Sequence, residues 1–186
     1  SNVTVLLQKQ HKLERIAHYD ALTGLPNRLL FSDRIGLALA HAERTGNFLA
    51  ICYLDLDGFK PVNDTYGHIV GDQILIEVAQ RITSNLRAID STCRYGGDEF
   101  ITLLSGIHND GNWMKISENL LNEINKPYVI DQQIITIGVS IGVAVYKPGD
   151  ITLTAEEFIH CADQAMYGAK NEGKGRIAVY SDIELT

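Results

Sequence analysis

A chain of 186 residues, 45% hydrophobic and 21% charged, carries enough apolar material for one globular core and calls for no second domain. Its net charge of −7 argues against a nucleic-acid backbone as the main partner, because such binding rests on clustered Lys and Arg. A small anionic ligand would need a metal and a few local cations. Cys52, Cys93 and Cys161 form no Cys-x-x-Cys pair and the six histidines keep no ligand spacing, so reduced thiols in a cytosolic protein are expected and zinc is not. No apolar run of about 18 residues offers a membrane span, and no signal-peptide pattern appears.

Residues 3–18 set Val3, Leu6, Leu7, Leu13 and Ile16 at helical spacing among polar residues, which predicts an amphipathic helix. It is either a terminal helix packed on the domain or the end of a helix arriving from an upstream sensor. Asp20-Ala-Leu-Thr-Gly-Leu-Pro-Asn-Arg28 reads as a turn leading into a helix from Arg28 to about Arg44. Asp20 and Arg28 are candidates for a clamp that sets the angle between the two helices. The run Phe48–Tyr53 is too apolar for anything but a strand buried on both faces, so the acids of Leu54-Asp55-Leu56-Asp57 emerge at the end of a core strand. Residues 71–87 place Ile74, Leu75, Val78, Ala79, Ile82 and Leu86 on one helical face. Asp72 falls in the first turn of that helix, where the dipole favours an acid with or without a ligand.

Residues 91–95 and 100–104 read as strands joined through Gly96-Gly97, a hairpin whose glycines supply φ > 0 and which presents Asp98 and Glu99. Residues 113–125 then read as a helix, 127–130 as a short strand and 133–146 as a long one, with Gly138 and Gly142 marking close backbone approach or a bulge. A helix over 155–170 and a strand over 176–180 complete an α+β order: a mainly antiparallel central sheet flanked by helices. Gly168-Ala-Lys-Asn-Glu-Gly173-Lys174 imitates a phosphate loop, but Gly175 stands where that loop needs Ser or Thr, and the glycines close a helix instead of opening one. A glycine cap with dipole-complementing lysines is the plainer account.

Two acid pairs on strands, with Lys60 and Asn63 close behind, suit a hard divalent cation and a nucleoside triphosphate, since such cations take oxygen ligands. Asp55-Leu-Asp-Gly-Phe-Lys-Pro-Val-Asn63-Asp64-Thr-Tyr-Gly67-His68-Ile-Val-Gly71-Asp72 and Gly96-Gly97-Asp98-Glu99-Phe100 resemble the diguanylate cyclase (GGDEF) family, with motifs agreeing in order and spacing from about Asp20 to Arg176. The resemblance implies a nucleotidyl cyclase or polymerase palm fold, with residues 1–18 a connecting helix and 19–186 the cyclase domain. It implies condensation of two GTP into cyclic di-GMP with release of pyrophosphate by a cytoplasmic homodimer downstream of a sensor, alone or as part of a membrane-anchored protein.

On the same resemblance, Mg2+ or Mn2+ is held by Asp55, the Leu56 carbonyl and Asp98 or Glu99, with Asp98 also a base or activating ligand. Lys60, Lys170 and Lys174 offset triphosphate charge, Lys174 standing where the family often has Arg and so weakening the grip. Phe59 and Leu75 wall the guanine, Asn63 and Asp72 read its edge, and His68, Gly96 and Gly97 join the substrate site. Arg87-Ala-Ile-Asp90, with Arg87 nine positions before Gly96, matches the family's inhibitory Arg-x-x-Asp site for product; the alternative is an Arg at a helix C-terminus and an Asp opening a turn. The competing function is a GTP-binding regulatory domain without turnover.

Overall fold

The computed structural model describes residues 1–108, 111–149 and 151–181. Its centre is β1 (Phe48–Asp57), the apolar run, which lies between β3 (Glu99–Ile107) and β6 (Gly138–Tyr146) and is antiparallel to both. β2 (Ser91–Arg94) extends the sheet beyond β3, and β7 (Ile177–Val179), parallel to β6, closes the other edge, giving the order β2-β3-β1-β6-β7. One parallel pair in an otherwise antiparallel sheet fits the expected class.

Alternate residues of β1 serve opposite faces. Ala50, Cys52, Leu54 and Leu56 pack with α3 (Phe59–Tyr66), α4 (His68–Ser84) and α5 (Asn112–Asn125), whereas Leu49, Ile51 and Tyr53 pack with α2 (Arg28–Thr45) and α6 (Ala155–Asn171). Both faces being covered is why the run is apolar without alternation. α6 lies directly on β6: a Cβ at Gly142 would sit 2.1 Å from Ala162 O and from Met166 N. That close approach is what carries the end of α6 over the end of β1.

Three expectations change. The helix predicted from Gly71 begins at His68 and stops at Ser84, and α3 precedes it unforeseen. Gly67, at φ 89°, breaks one helix from the next, and Gly71 is glycine because Asn63 of α3 lies against it: a Cβ there would meet Asn63 Oδ1 at 1.8 Å. At the far end the Thr83 and Ser84 hydroxyls and the Asn85 amide turn back onto Ala79 O, Gln80 O and Arg81 O, competition that ends helices. The long strand over 133–146 is two strands. β5 (Gln133–Ile135) pairs with β4 (Tyr128–Ile130) through a two-residue turn at Asp131 and Gln132, both at positive φ, while β6 begins at Gly138 because β1 runs out at its partner Asp57.

Asp20 and Arg28 do not clamp the helices α1 (Asn2–His18) and α2 to each other. Asp20 accepts from Thr23 N and Oγ1 (2.9 and 2.7 Å) and from Arg94 Nη1 (3.3 Å). Although burial alone would raise its carboxyl, these hydrogen bonds and the Arg94 charge hold it below its ordinary range. Arg28 Nε donates to Tyr95 O at 2.6 Å and its guanidinium covers the Tyr95 ring at 4.0 Å. Both residues therefore fasten the turn to the β2–β3 hairpin. α1 buries none of its residues and is tied on through Asn27, which donates to Ala17 O and His18 O. Cys52 and Cys93 are buried free thiols, as expected, and Cys161 is half-buried. Among the described residues no helix is long and apolar enough to cross a membrane.

Candidate active site

The ends of β1 and β3 bring the two acid pairs together. Asp55 and Glu99 are direct cross-strand partners, and Leu56 N donates to Asp98 O at 3.1 Å. The intervening turn is held by Arg94, whose Nε and Nη2 both reach Gly97 O (3.1 and 2.8 Å), and by Tyr95 N and Gly96 N on Glu99 O (2.8 and 3.3 Å). Contrary to expectation, neither signature glycine has positive φ. A Cβ at Gly96 would stand 3.1 Å from Glu99 Oε2, so that carboxylate would have to shift slightly, while among the described residues nothing lies within 4 Å of a Cβ at Gly97, whose approach is open to a ligand.

Lys170, delivered by α6, sits on this cluster, with Nζ 3.1 Å from Asp55 Oδ1 and 3.6 Å from Asp57 Oδ1. The pair shifts look contradictory until burial is included. Burial pushes the Asp55 carboxyl up, and Asp98 and Glu99 add repulsion that the Lys170 contact does not cancel, so it reaches about 6. Burial would lower the Lys170 ammonium, but Asp55 and Asp57 outweigh it and leave it raised. Asp98 is also raised, first by burial and then by Glu99. A cluster whose own repulsion raises its carboxyls has the donor chemistry of a hard-cation site. Asp55, Asp98, Glu99 and the Leu56 carbonyl fit that role, although among the described residues no three His, Cys, Asp or Glu side chains already close on one point as a metal cage.

One acid, Asp163, and one tyrosine, Tyr53, escaped the sequence reading here, and Asp57, read only as a member of the first acid pair, also has a structural part. Asp57 accepts from Ser140 Oγ (2.9 and 2.8 Å) and from Gly175 N (3.0 Å), pinning the loop after α6 to the sheet. Glu99 Oε2 accepts from the Tyr53 hydroxyl at 2.7 Å. Asp163 of α6 is raised by burial and by the charge of Glu99. No sequence signal marked Ser140 or Asp163, but Tyr53 stands two residues before Asp55 and so shares its face.

Beyond Gly58, Phe59 and Leu75 are core residues, Leu75 only 2% exposed. Asn63 lies against Gly71, and among the described residues its buried Oδ1 has no hydrogen-bond partner. Lys60, His68, Asp72 and Lys174 are exposed. Because α4 starts at His68, Asp72 is not in its first turn, and the helix-dipole account of that acid falls away. Arg87 lies past the helix end, not at its C-terminus. Its N, Nε and Nη2 bind the Asp90 carboxylate (2.9, 3.0 and 2.9 Å) and Nη2 also reaches Ser105 O. The Asp90 side chain is 0% exposed.

A family model described as diguanylate cyclase, GGDEF domain, matches residues 17–176. The chain belongs to this family. It is 44% identical over 171 residues to the bifunctional diguanylate cyclase/cyclic di-GMP phosphodiesterase MucR of Pseudomonas aeruginosa, covering 92% of the chain and 24% of MucR. It is 36% identical to diguanylate cyclase TpbB of the same species, covering 97% of the chain and 42% of TpbB, so it spans less than half the length of either relative. The solved GGDEF domain of TpbB superposes with a TM-score of 0.83 at 35% identity, covering 88% of this chain and 95% of that one. The coiled coil and GGDEF domain of DgcB from Caulobacter crescentus, in complex with c-di-GMP, gives 0.84 at 30% identity, covering 96% and 93%.

The raised Asp55 carboxyl has a thermodynamic consequence. Its folded pKa of about 6 exceeds its unfolded value of 3.8, so between these values the folded protein holds a proton that the unfolded chain has released, and stability falls as pH rises through that window. In metal-free buffer Asp55→Asn is expected to be more stable than wild type at pH 7, by roughly 1–2 kcal/mol after allowing for solvent screening. The lead should vanish towards pH 4. Urea unfolding at the two pH values checks this, and a variant less stable at pH 7 would mean that the Lys170 pairing outweighs burial and repulsion.

Proposed function

We propose that two copies of this domain, each holding one GTP, condense the nucleotides into cyclic di-GMP with release of two pyrophosphates. The observation that carries the reading is the meeting of Asp55, Asp98 and Glu99 at the ends of β1 and β3 beside Lys170. A Mg2+ or Mn2+ ion on Asp55, the Leu56 carbonyl and Asp98 or Glu99 would stabilise the attacking and leaving oxygens at the α-phosphate. Asp98, its basicity enhanced by its raised pKa, receives the proton of the attacking 3′-hydroxyl. Lys60, Lys170 and Lys174 bind the triphosphate, and the open space at Gly97 lets it approach.

The unsatisfied Asn63 Oδ1 supports guanine as the base, since a buried acceptor without a partner calls for a donor. Asp72, exposed beside it with His68, takes the N1 and N2 hydrogens from outside. A homodimer follows from one nucleotide site per domain. The exposed α1 supports residues 1–18 as a connector from an upstream sensor and 19–186 as the cyclase domain, and a GTP substrate supports a cytoplasmic site of action.

Purified protein with GTP and Mg2+ should form cyclic di-GMP at a rate rising more than linearly with protein concentration. Asp98→Asn should keep the fold and lower that rate about a hundredfold or more, as loss of an essential metal or proton group does. GTP binding without product would favour the regulatory domain, and near-normal turnover by Asp98→Asn would sink its assignment.

Product inhibition rests on Arg87. Among the described residues its Nη1 meets no acceptor, while Asp90, closed off from solvent, and Ser105 O hold Nε and Nη2. In this reading Asp90 positions Arg87, which grips a phosphate or guanine edge of cyclic di-GMP. Inhibition by product at low and saturating GTP should persist in wild type and be largely lost in Arg87→Ala. Equal inhibition of both proteins, or full relief by GTP, would reduce this stretch to turn chemistry.

A further inference from the structure

We propose that the Tyr53 hydroxyl is a positioning group for Glu99, holding one carboxylate oxygen so that the other stays available to a divalent cation. The inference deepens the proposed function and rests on its assignment of Glu99 to the metal site.

The hydroxyl donates to Glu99 Oε2 at 2.7 Å, the direction a phenol must take towards a carboxylate, which only accepts. The tyrosine is itself fixed. It is 4% exposed, and its ring meets Tyr95 edge-on, with centroids 5.8 Å apart at 71°. Tyr95 is held in turn by Arg28, through the ring at 4.0 Å and through its carbonyl at 2.6 Å. The same oxygen lies close to Gly96, where a Cβ would stand 3.1 Å from it. A glutamate carboxylate on a free χ3 turns broadly; here one oxygen is held by a buried donor. Asp163 repels Glu99 from α6, which makes a fixed donor the more useful. Partners that orient metal ligands in this way typically change metal affinity or activity about 10–100-fold when removed.

The variant is Tyr53→Phe, which keeps the ring against Tyr95 and deletes only the hydroxyl. Mn2+ binding is read by electron paramagnetic resonance with a non-reacting α,β-methylene analogue of GTP, so the readout does not depend on turnover. Mn2+ affinity should fall about tenfold, with kcat falling in parallel and KM for GTP changing less than about twofold. On a Glu99→Gln background Tyr53→Phe should cause no further loss, the non-additivity expected of residues acting as a unit. Loss in that background equal to the loss in wild type would show general structural damage and overturn the proposal. So would equal Mn2+ affinity of Tyr53→Phe and wild type, or no Mn2+ binding by wild type. If wild type binds Mn2+ but forms no cyclic di-GMP, the proposed activity fails while the Mn2+ comparison still decides the role of Tyr53.

Discussion

The contact between Lys170 and the carboxylates at the end of β1 is the interaction on which the site depends. Asp55, Asp98 and Glu99 repel one another in a half-buried place, and the Lys170 ammonium 3.1 Å from Asp55 offsets part of that cost without removing it. The sheet is arranged to make the contact: β6 lies beside β1, Gly142 lets the α6 backbone settle on β6, and the last turn of α6 then hangs over the strand ends. Asp57, through Ser140 and Gly175, keeps the following loop from lifting the lysine away. A domain built this way keeps an anionic pocket whose repulsion is relieved by whatever cation enters it, an arrangement common where function is retained at some expense in stability.

The same end of the sheet is fastened to the start of the chain. Asp20 meets Arg94, and Arg94 holds Gly97 O. Arg28 holds Tyr95, which lies against Tyr53, which donates to Glu99. Two short chains of contact thus run from the turn after α1 to the signature hairpin. The clamp expected between two helices is a clamp on the active-site turn.

Much of this was legible in the residues. The apolar run of β1, the paired glycines and the periodic helices state their elements directly, because burial on both faces and one-sided packing leave different patterns. α3 was not legible: eight residues containing Pro61 are too few to show a helical period, and it is held by its Asn63–Gly71 contact with α4. The division between β5 and β6 was hidden because Ile-Ile-Thr-Ile-Gly-Val reads as one strand, and only the end of β1 decides where pairing changes. Gly96 looked like a conformational glycine, yet its φ is not positive, and its closeness to Glu99 shows only in three dimensions. The Lys170 contact and the Tyr53 hydrogen bond join segments far apart in sequence, where no local pattern can signal them.

The central claim is that this cluster binds a divalent cation and a guanine nucleotide together. Anomalous diffraction at the manganese edge, from crystals grown with Mn2+ and the α,β-methylene analogue of GTP, tests it most directly. An anomalous peak coordinated by Asp55 and by Asp98 or Glu99, with the guanine edge on Asn63, is the expected result. A nucleotide seated elsewhere, or a peak away from the ends of β1 and β3, would contradict it.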